Sequence, residues 1–170
     1  MSDYTILVVD YEPRSIQTIR DALEKVGYRV EVASDGASAL EVFKRTHPML
    51  TLIEVMLPKR SGLEVCRELK ETDHGAKTPV VVMTSRFRSR TYRTQARYEF
   101  NADDFLEKPL NEDRVRVYVH NMLASTQKRP CDAHKKIVDL LDGGLSGAQA
   151  TAAPEAAPEG RHGLEGEPPS

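Results

Sequence analysis

Asp10 and Glu12, Glu54, Thr84 with Ser85, and Lys108 with Pro109 each close a short apolar run. The set contains carboxylates, hydroxyls and an ammonium, which together could bind or neutralise charge on oxygen. Scattered, they would be ordinary strand ends. Glu54 is the centre of the set. The residues before it, Leu50, Thr51, Leu52 and Ile53, are mostly apolar, as expected of a strand buried on both faces of a sheet. After it come Pro58 and then Ser61 and Glu64, which have the capping-box spacing of a helix start. An acid at the carboxyl end of a parallel strand points into the crevice where open α/β sheets place their sites.

The elements that would position these residues follow in order. A first strand is expected over residues 4–9, and Pro13 suits the first turn of the helix that follows it. Ile16, Ile19, Leu23 and Val26 give that helix one apolar stripe, and Gly27 ends it. Residues 28–33 alternate as a second strand. Asp35 and Gly36 turn into a second helix with Leu40 and Phe43 inward, and Pro48 stops it. The strand to Glu54 and a helix from 62 to about 71 come third. A polar loop at 73–77 leads to a fourth strand at 79–84 and a helix at 91–100. A fifth strand near 103–107 precedes a last helix capped by Asn111. Val115, Tyr118, Val119, Met122 and Leu123 form its buried side. Five strands each followed by a helix predict an α/β fold with a doubly wound parallel sheet over residues 1–126. Residues 127–144 read as a linker with a short amphipathic segment at 133–141. Residues 145–170 read as a disordered tail rich in Ala, Gly, Pro and Glu, too poor in apolar surface to offset the entropy of ordering.

The 170 residues carry a formal charge of −2 and a pI near 6.2, which gives no whole-chain pull toward nucleic acid or membrane. No apolar run approaches the roughly 20 residues of a membrane span, and no secretory signal opens the chain, so a cytoplasmic protein is expected. Cys66 and Cys131 are too few for a disulfide framework or metal cluster, and Cys66 reads as a small core residue. No glycine-rich phosphate loop follows any strand, which argues against a nucleotide- or flavin-binding enzyme.

The ordered set resembles the receiver domain of bacterial two-component response regulators. The residues that carry the likeness are Ile6 to Asp10, Gly27-Tyr28, Ala33 with Gly36 and Ala39-Leu40, Met56-Leu57-Pro58 with Ser61-Gly62, Thr84, and Lys108-Pro109. The resemblance implies a flavodoxin-like (βα)5 fold and phosphoryl transfer to an aspartate at the end of the third strand. It implies Mg²⁺ held by acids after the first strand. It also implies that Thr84 and Lys108 bind the phosphoryl oxygens, with Lys108-Pro109 commonly cis and Phe105 matching an aromatic whose rotamer reports activation.

The chain departs from that pattern at two positions. Glu54 stands where the phosphoacceptor aspartate belongs, and the extra methylene moves its carboxylate by about 1.5 Å. Tyr11 stands where the second acid of the metal pair belongs, and an unperturbed phenol, which titrates near 10, offers Mg²⁺ no anionic oxygen at neutral pH. A non-catalytic pseudo-receiver without a cofactor is therefore expected, acting through protein contacts. Three readings stay open: Glu54 imitates the phosphorylated state; the pocket has decayed to a docking scaffold in which Lys108 neutralises nearby acids; or the chain is a phosphorylatable regulator that holds Mg²⁺ through Asp10, Glu12 and Glu54.

In receivers the fourth helix, fifth strand and fifth helix usually meet partners. Here Arg86, Arg88, Arg90, Arg93 and Arg97 crowd into a segment without acids, and Arg90, Arg93 and Arg97 would share one helical face. That stripe could be solvated surface, a docking site for an acidic signalling protein, a homodimer face or a nucleic-acid patch. Acids and bases balance over residues 1–127, and no DNA-reading module is visible, so a protein partner is preferred.

Overall fold

A computed structural model of the chain describes residues 4–86 and 89–125. The elements are β1 (Thr5–Val9), α1 (Pro13–Glu24), β2 (Arg29–Ala33), α2 (Gly36–Thr46), β3 (Leu50–Glu54), α3 (Gly62–Lys70), β4 (Val80–Thr84), α4 (Arg90–Phe100), β5 (Asp104–Glu107) and α5 (Glu112–Ser125). All strand pairs are parallel, in the order β2-β1-β3-β4-β5. The expected doubly wound α/β sheet is present. The linker at 127–144, its segment at 133–141, the tail at 145–170 and Arg88 lie outside the described residues.

Every residue of β1, β3 and β4 is buried, because helices cover both faces of the sheet. The period-two alternation divides the core. Ile6, Val8, Leu50, Leu52, Val81 and Met83 pack with Ile19 and Leu23 of α1 and Val115, Val119 and Leu123 of α5. Leu7, Val9, Ile53, Val80 and Val82 pack on the other side with Phe43, Leu63, Val65, Cys66 and Leu69. Each such aliphatic side chain contributes about 1.5–3 kcal/mol through burial. Cys66 is a free, fully buried thiol whose pKa burial pushes up to about 12, in keeping with a core role.

Capping residues set the helix starts. Asp35 accepts from the Ala37 and Ser38 amides, Ser61 and Glu64 form the expected capping box, and Asn111 accepts from the Arg114 amide. Gly27 follows α1 at φ 93°, a conformation glycine adopts without cost. The stretch expected as a plain polar loop instead contains a 3-10 turn at Gly75–Lys77. His74 Nε2 lies 3.0 Å from the Pro48 carbonyl oxygen, and the Lys70 ammonium donates to the Thr78 carbonyl at 2.9 Å, so side chains supply the loop's backbone partners.

Candidate functional site

The carboxyl ends of β1, β3 and β5 bring Asp10, Glu54 and Lys108 together. Asp10 is fully buried, Glu54 is 5% exposed and Lys108 is 8% exposed. The Lys108 Nζ sits 2.6 Å from Asp10 Oδ2 and 2.8 Å from Glu54 Oε2, bridging the two carboxylates. Glu12, half exposed, reaches to 3.9 Å of the same nitrogen. Lys108 is also fixed through its backbone, since its amide donates to the Thr84 carbonyl at 3.0 Å. The Lys108–Pro109 bond is cis.

Both oxygens of each acid are engaged. Asp10 Oδ1 accepts from the Glu12 amide at 3.0 Å, and Oδ2 also accepts from the Ser15 hydroxyl at 2.6 Å. Glu54 Oε1 accepts from the Met56 amide at 3.1 Å, which folds the carboxylate back over its own loop. Burial alone would pull the Lys108 ammonium below the ordinary lysine value. The hydrogen bonds and charges of Asp10 and Glu54 outweigh that, and its pKa lies above 10.5.

Thr84 is buried beside this group but is not joined to it. Its hydroxyl accepts from the Arg86 amide at 3.2 Å, and no hydrogen bond links it to Glu54 among the described residues. Tyr11 is 52% exposed. Above the three charges opens a cleft of about 560 Å³, lined by Tyr11, Arg14, Met56, Ser85 and Arg86 among others. Ser15, Arg14 and Met56 are site residues the sequence did not announce. For Arg14 and Ser15 the only signal is proximity in sequence to Asp10, and Met56 is named only within the Met56-Leu57-Pro58 motif.

These residues do not fit a Mg²⁺ ion. That ion demands a near-octahedral shell of oxygens at about 2.0–2.1 Å. The space between Asp10 and Glu54 holds an ammonium instead, and both oxygens of each acid are committed. Among the described residues no group of three or more His, Cys, Asp or Glu is arranged to hold a metal.

The site lies close to α4 and β5. Burial, and after it the negative charge of Glu54, raises the Tyr92 phenol above its ordinary pKa, which places Glu54 within electrostatic reach of α4. Tyr92 meets Phe105 edge-on, with ring centroids 6.2 Å apart, and the Arg93 guanidinium lies 5.2 Å from the Phe105 centroid. Phe105 is half-buried. Arg93 pairs with Glu107, and Arg97 donates to the Asp103 carbonyl at 3.0 Å. Two of the three arginines on the expected face are thus partly satisfied by β5 and its entry. Arg90, exposed, has no ion-pair partner among the described residues.

Comparison with known proteins agrees with this architecture. Residues 6–120 match the family model described as response regulator receiver domain. The response regulator MprA of Mycobacterium leprae is 35% identical over 132 residues, covering 78% of this chain and 55% of that protein. The chain spans about half the length of the curated relatives it matches. Among solved structures, the signal receiver domain of a signal transduction histidine kinase from Syntrophus aciditrophicus is 29% identical with a TM-score of 0.64, covering 76% of this chain and 96% of that one. The chemotaxis response regulator CheY4 of Vibrio cholerae, 23% identical with a TM-score of 0.65, covers 71% of this chain and 98% of its own and supports the fold. No helix among the described residues is long and apolar enough to cross a membrane.

Proposed function

Since the chain belongs to the response regulator receiver domain family, we propose that it is a pseudo-receiver, a cytoplasmic signalling module that works through protein contacts without accepting a phosphoryl group. The observation that carries this reading is the Lys108 ammonium lodged between Asp10 and Glu54 at 2.6 and 2.8 Å. A receiver needs a carboxylate free to attack and a cation to offset the charge of the incoming group. Here the carboxylate is bonded at both oxygens, and the only cation buried among the described residues already faces two acids. Glu54 imitates a phosphorylated residue at most in part. It carries one negative charge, where a phosphoryl group carries about −1.5 to −2. Its contact with Lys108 also has no counterpart at Thr84. The scaffold reading is the better supported.

The test is a set of amide NMR spectra of the full chain, apo, with Mg²⁺, and with Mg²⁺ plus beryllofluoride. The wild type is expected to stay silent. Tyr11→Asp combined with Glu54→Asp is expected to shift Thr84, Phe105 and Lys108 and to take phosphate from a small phosphodonor at least about a hundredfold faster. A wild-type response at those three residues would replace this reading with that of a switchable regulator.

The partner in this proposal is an acidic signalling protein or a second copy of the chain, bound on the surface formed by α4, β5 and α5. Replacing Arg90, Arg93 and Arg97 together with Glu is expected to abolish that binding while the domain stays folded, because all three side chains are exposed. Unchanged affinity in a pull-down against the cognate partner, and an unchanged oligomeric state, would remove this face from consideration.

A further inference from the structure

The cleft above the ion triad has chemistry that phosphoryl transfer does not use. Its volume, about 560 Å³, falls within the roughly 300–1,000 Å³ of small-molecule sites. Tyr11 and Met56 are among the large apolar side chains left exposed, at 52% and 45%, and both line this cleft. They offer a ring face and a thioether to a planar apolar body.

Positive charge accompanies them. Arg14 and Arg86 line the cleft, both are exposed, and neither guanidinium has an ion-pair partner among the described residues. The α1 helix begins at the same wall with Pro13. Its N-cap residue, Glu12, makes no capping hydrogen bond with its side chain, and no acid occupies its first turn. The start of α1 thus lines the cleft, with Asp10 already accepting from the Glu12 amide and the Ser15 hydroxyl beside it. On the floor, Lys108 offsets much of the charge of Asp10 and Glu54. Glu12, whose carboxylate lies 3.9 Å from Lys108, is the lining acid that opposes an anion.

We infer that this cleft binds a small organic anion carrying a planar ring, of the kind a mononucleotide represents, with the ring against Tyr11 and Met56 and the anionic group between Arg14, Arg86 and the start of α1. Two guanidinium groups suit a carboxylate or phosphate through paired N–H donors, and an exposed tyrosine beside them suits stacking. The replacement of an acid by Tyr11 then adds a contact as well as removing a metal ligand. The inference does not require Glu54 to be inert toward phosphate, so beryllofluoride spectra and ligand titrations fail independently.

The test titrates the full chain with AMP and with phenyl phosphate, followed by calorimetry and amide NMR, beside inorganic phosphate and adenosine as single-feature controls. The expected result is a Kd below about 1 mM for at least one ring-bearing anion, with phosphate and adenosine each weaker by about tenfold or more. Amide shifts should centre on Tyr11, Arg14, Met56 and Arg86. Tyr11→Ala, and Arg14→Gln combined with Arg86→Gln, should each weaken binding about tenfold. These side chains are exposed, so the variants keep the fold, which their spectra will verify. No binding of either ring-bearing anion at about 10 mM would overturn the inference. So would equal binding of bare phosphate, or unchanged affinity in either variant.

Discussion

Replacing Lys108 with methionine is expected to cost about 3–5 kcal/mol of folding stability, read from the midpoint of urea unfolding. The magnitude comes from what the substitution leaves behind. Asp10 is fully buried and Glu54 nearly so, and each loses the only buried counter-charge it has among the described residues. Two carboxylates sharing one dry site repel each other as well as lacking solvent. The ion triad itself need not be strongly stabilising, because desolvating three charges offsets most of their attraction. Its removal by halves is what costs. A double-mutant cycle makes the distinction: Lys108→Met combined with Glu54→Gln should cost clearly less than the sum of the two single changes. Additive costs would mean that Lys108 and Glu54 do not act as a unit.

The pH dependence has a definite sign. The folded-state pKa of Lys108 lies above the ordinary lysine value of 10.5, so its contribution is fully present below about pH 10.5 and is lost as pH rises through the folded value. Around neutrality Lys108 adds no slope. The stability difference between wild type and Lys108→Met should therefore be flat from about pH 7 to 9 and shrink above about pH 10.5. Comparing the two proteins removes most of the effect of Tyr28, whose burial lifts its phenol to about 12 in both. A difference that grew above pH 10.5 would contradict the ion triad.

Much of the scaffold was legible because its signals are local. A strand buried on both faces must be a mostly apolar run, and β1, β3 and β4 are such runs, β3 and β4 ending on a polar residue and β1 followed by one. Caps are equally local, and Ser61, Glu64 and Asn111 do what their spacing predicted. The arrangement inside the site was not legible, because its pairs are long-range. Lys108 and Asp10 stand 98 positions apart, and no pattern in either segment says which of three acids an ammonium will choose. Ser15 and the Met56 amide complete the acids' hydrogen bonds through the start of α1 and the bend after β3, which helical periodicity and strand alternation do not encode. The arginine stripe shows the same limit. Spacing along α4 placed Arg93 and Arg97 on one face, but only the packed structure shows that Glu107 and the Asp103 carbonyl engage them. The amide bond that Thr84 accepts two residues on was equally invisible, since it depends on the turn after β4.

The second large effect is expected at Gly62, which fixes Glu54 from behind. The loop after β3 returns so closely that the Gly62 amide donates to the Val55 carbonyl at 2.8 Å. A Cβ at position 62 would lie 1.9 Å from the Glu54 carbonyl oxygen and 2.8 Å from its carbonyl carbon. Both obstacles are backbone, so no rotamer change can relieve them. Either the end of β3 or the start of α3 must move. Gly62→Ala should therefore destabilise the protein by on the order of 3 kcal/mol or more, at the upper end of overpacking. Its signature is the way it couples to the site. A shift of even 1 Å at the Glu54 backbone carries the carboxylate away from Lys108, whose bond to it is 2.8 Å long, and from the Met56 amide at 3.1 Å. Once Gly62→Ala has loosened that pair, Glu54→Gln has less left to remove. The two changes together should cost less than their sum, and the Tyr92 and Phe105 amides should shift in Gly62→Ala, because Tyr92 lies within electrostatic reach of Glu54 and packs on Phe105. A Gly62→Ala protein that unfolds at the wild-type urea midpoint would mean that the β3–α3 loop yields without moving Glu54, and the positioning role assigned to this glycine would fall.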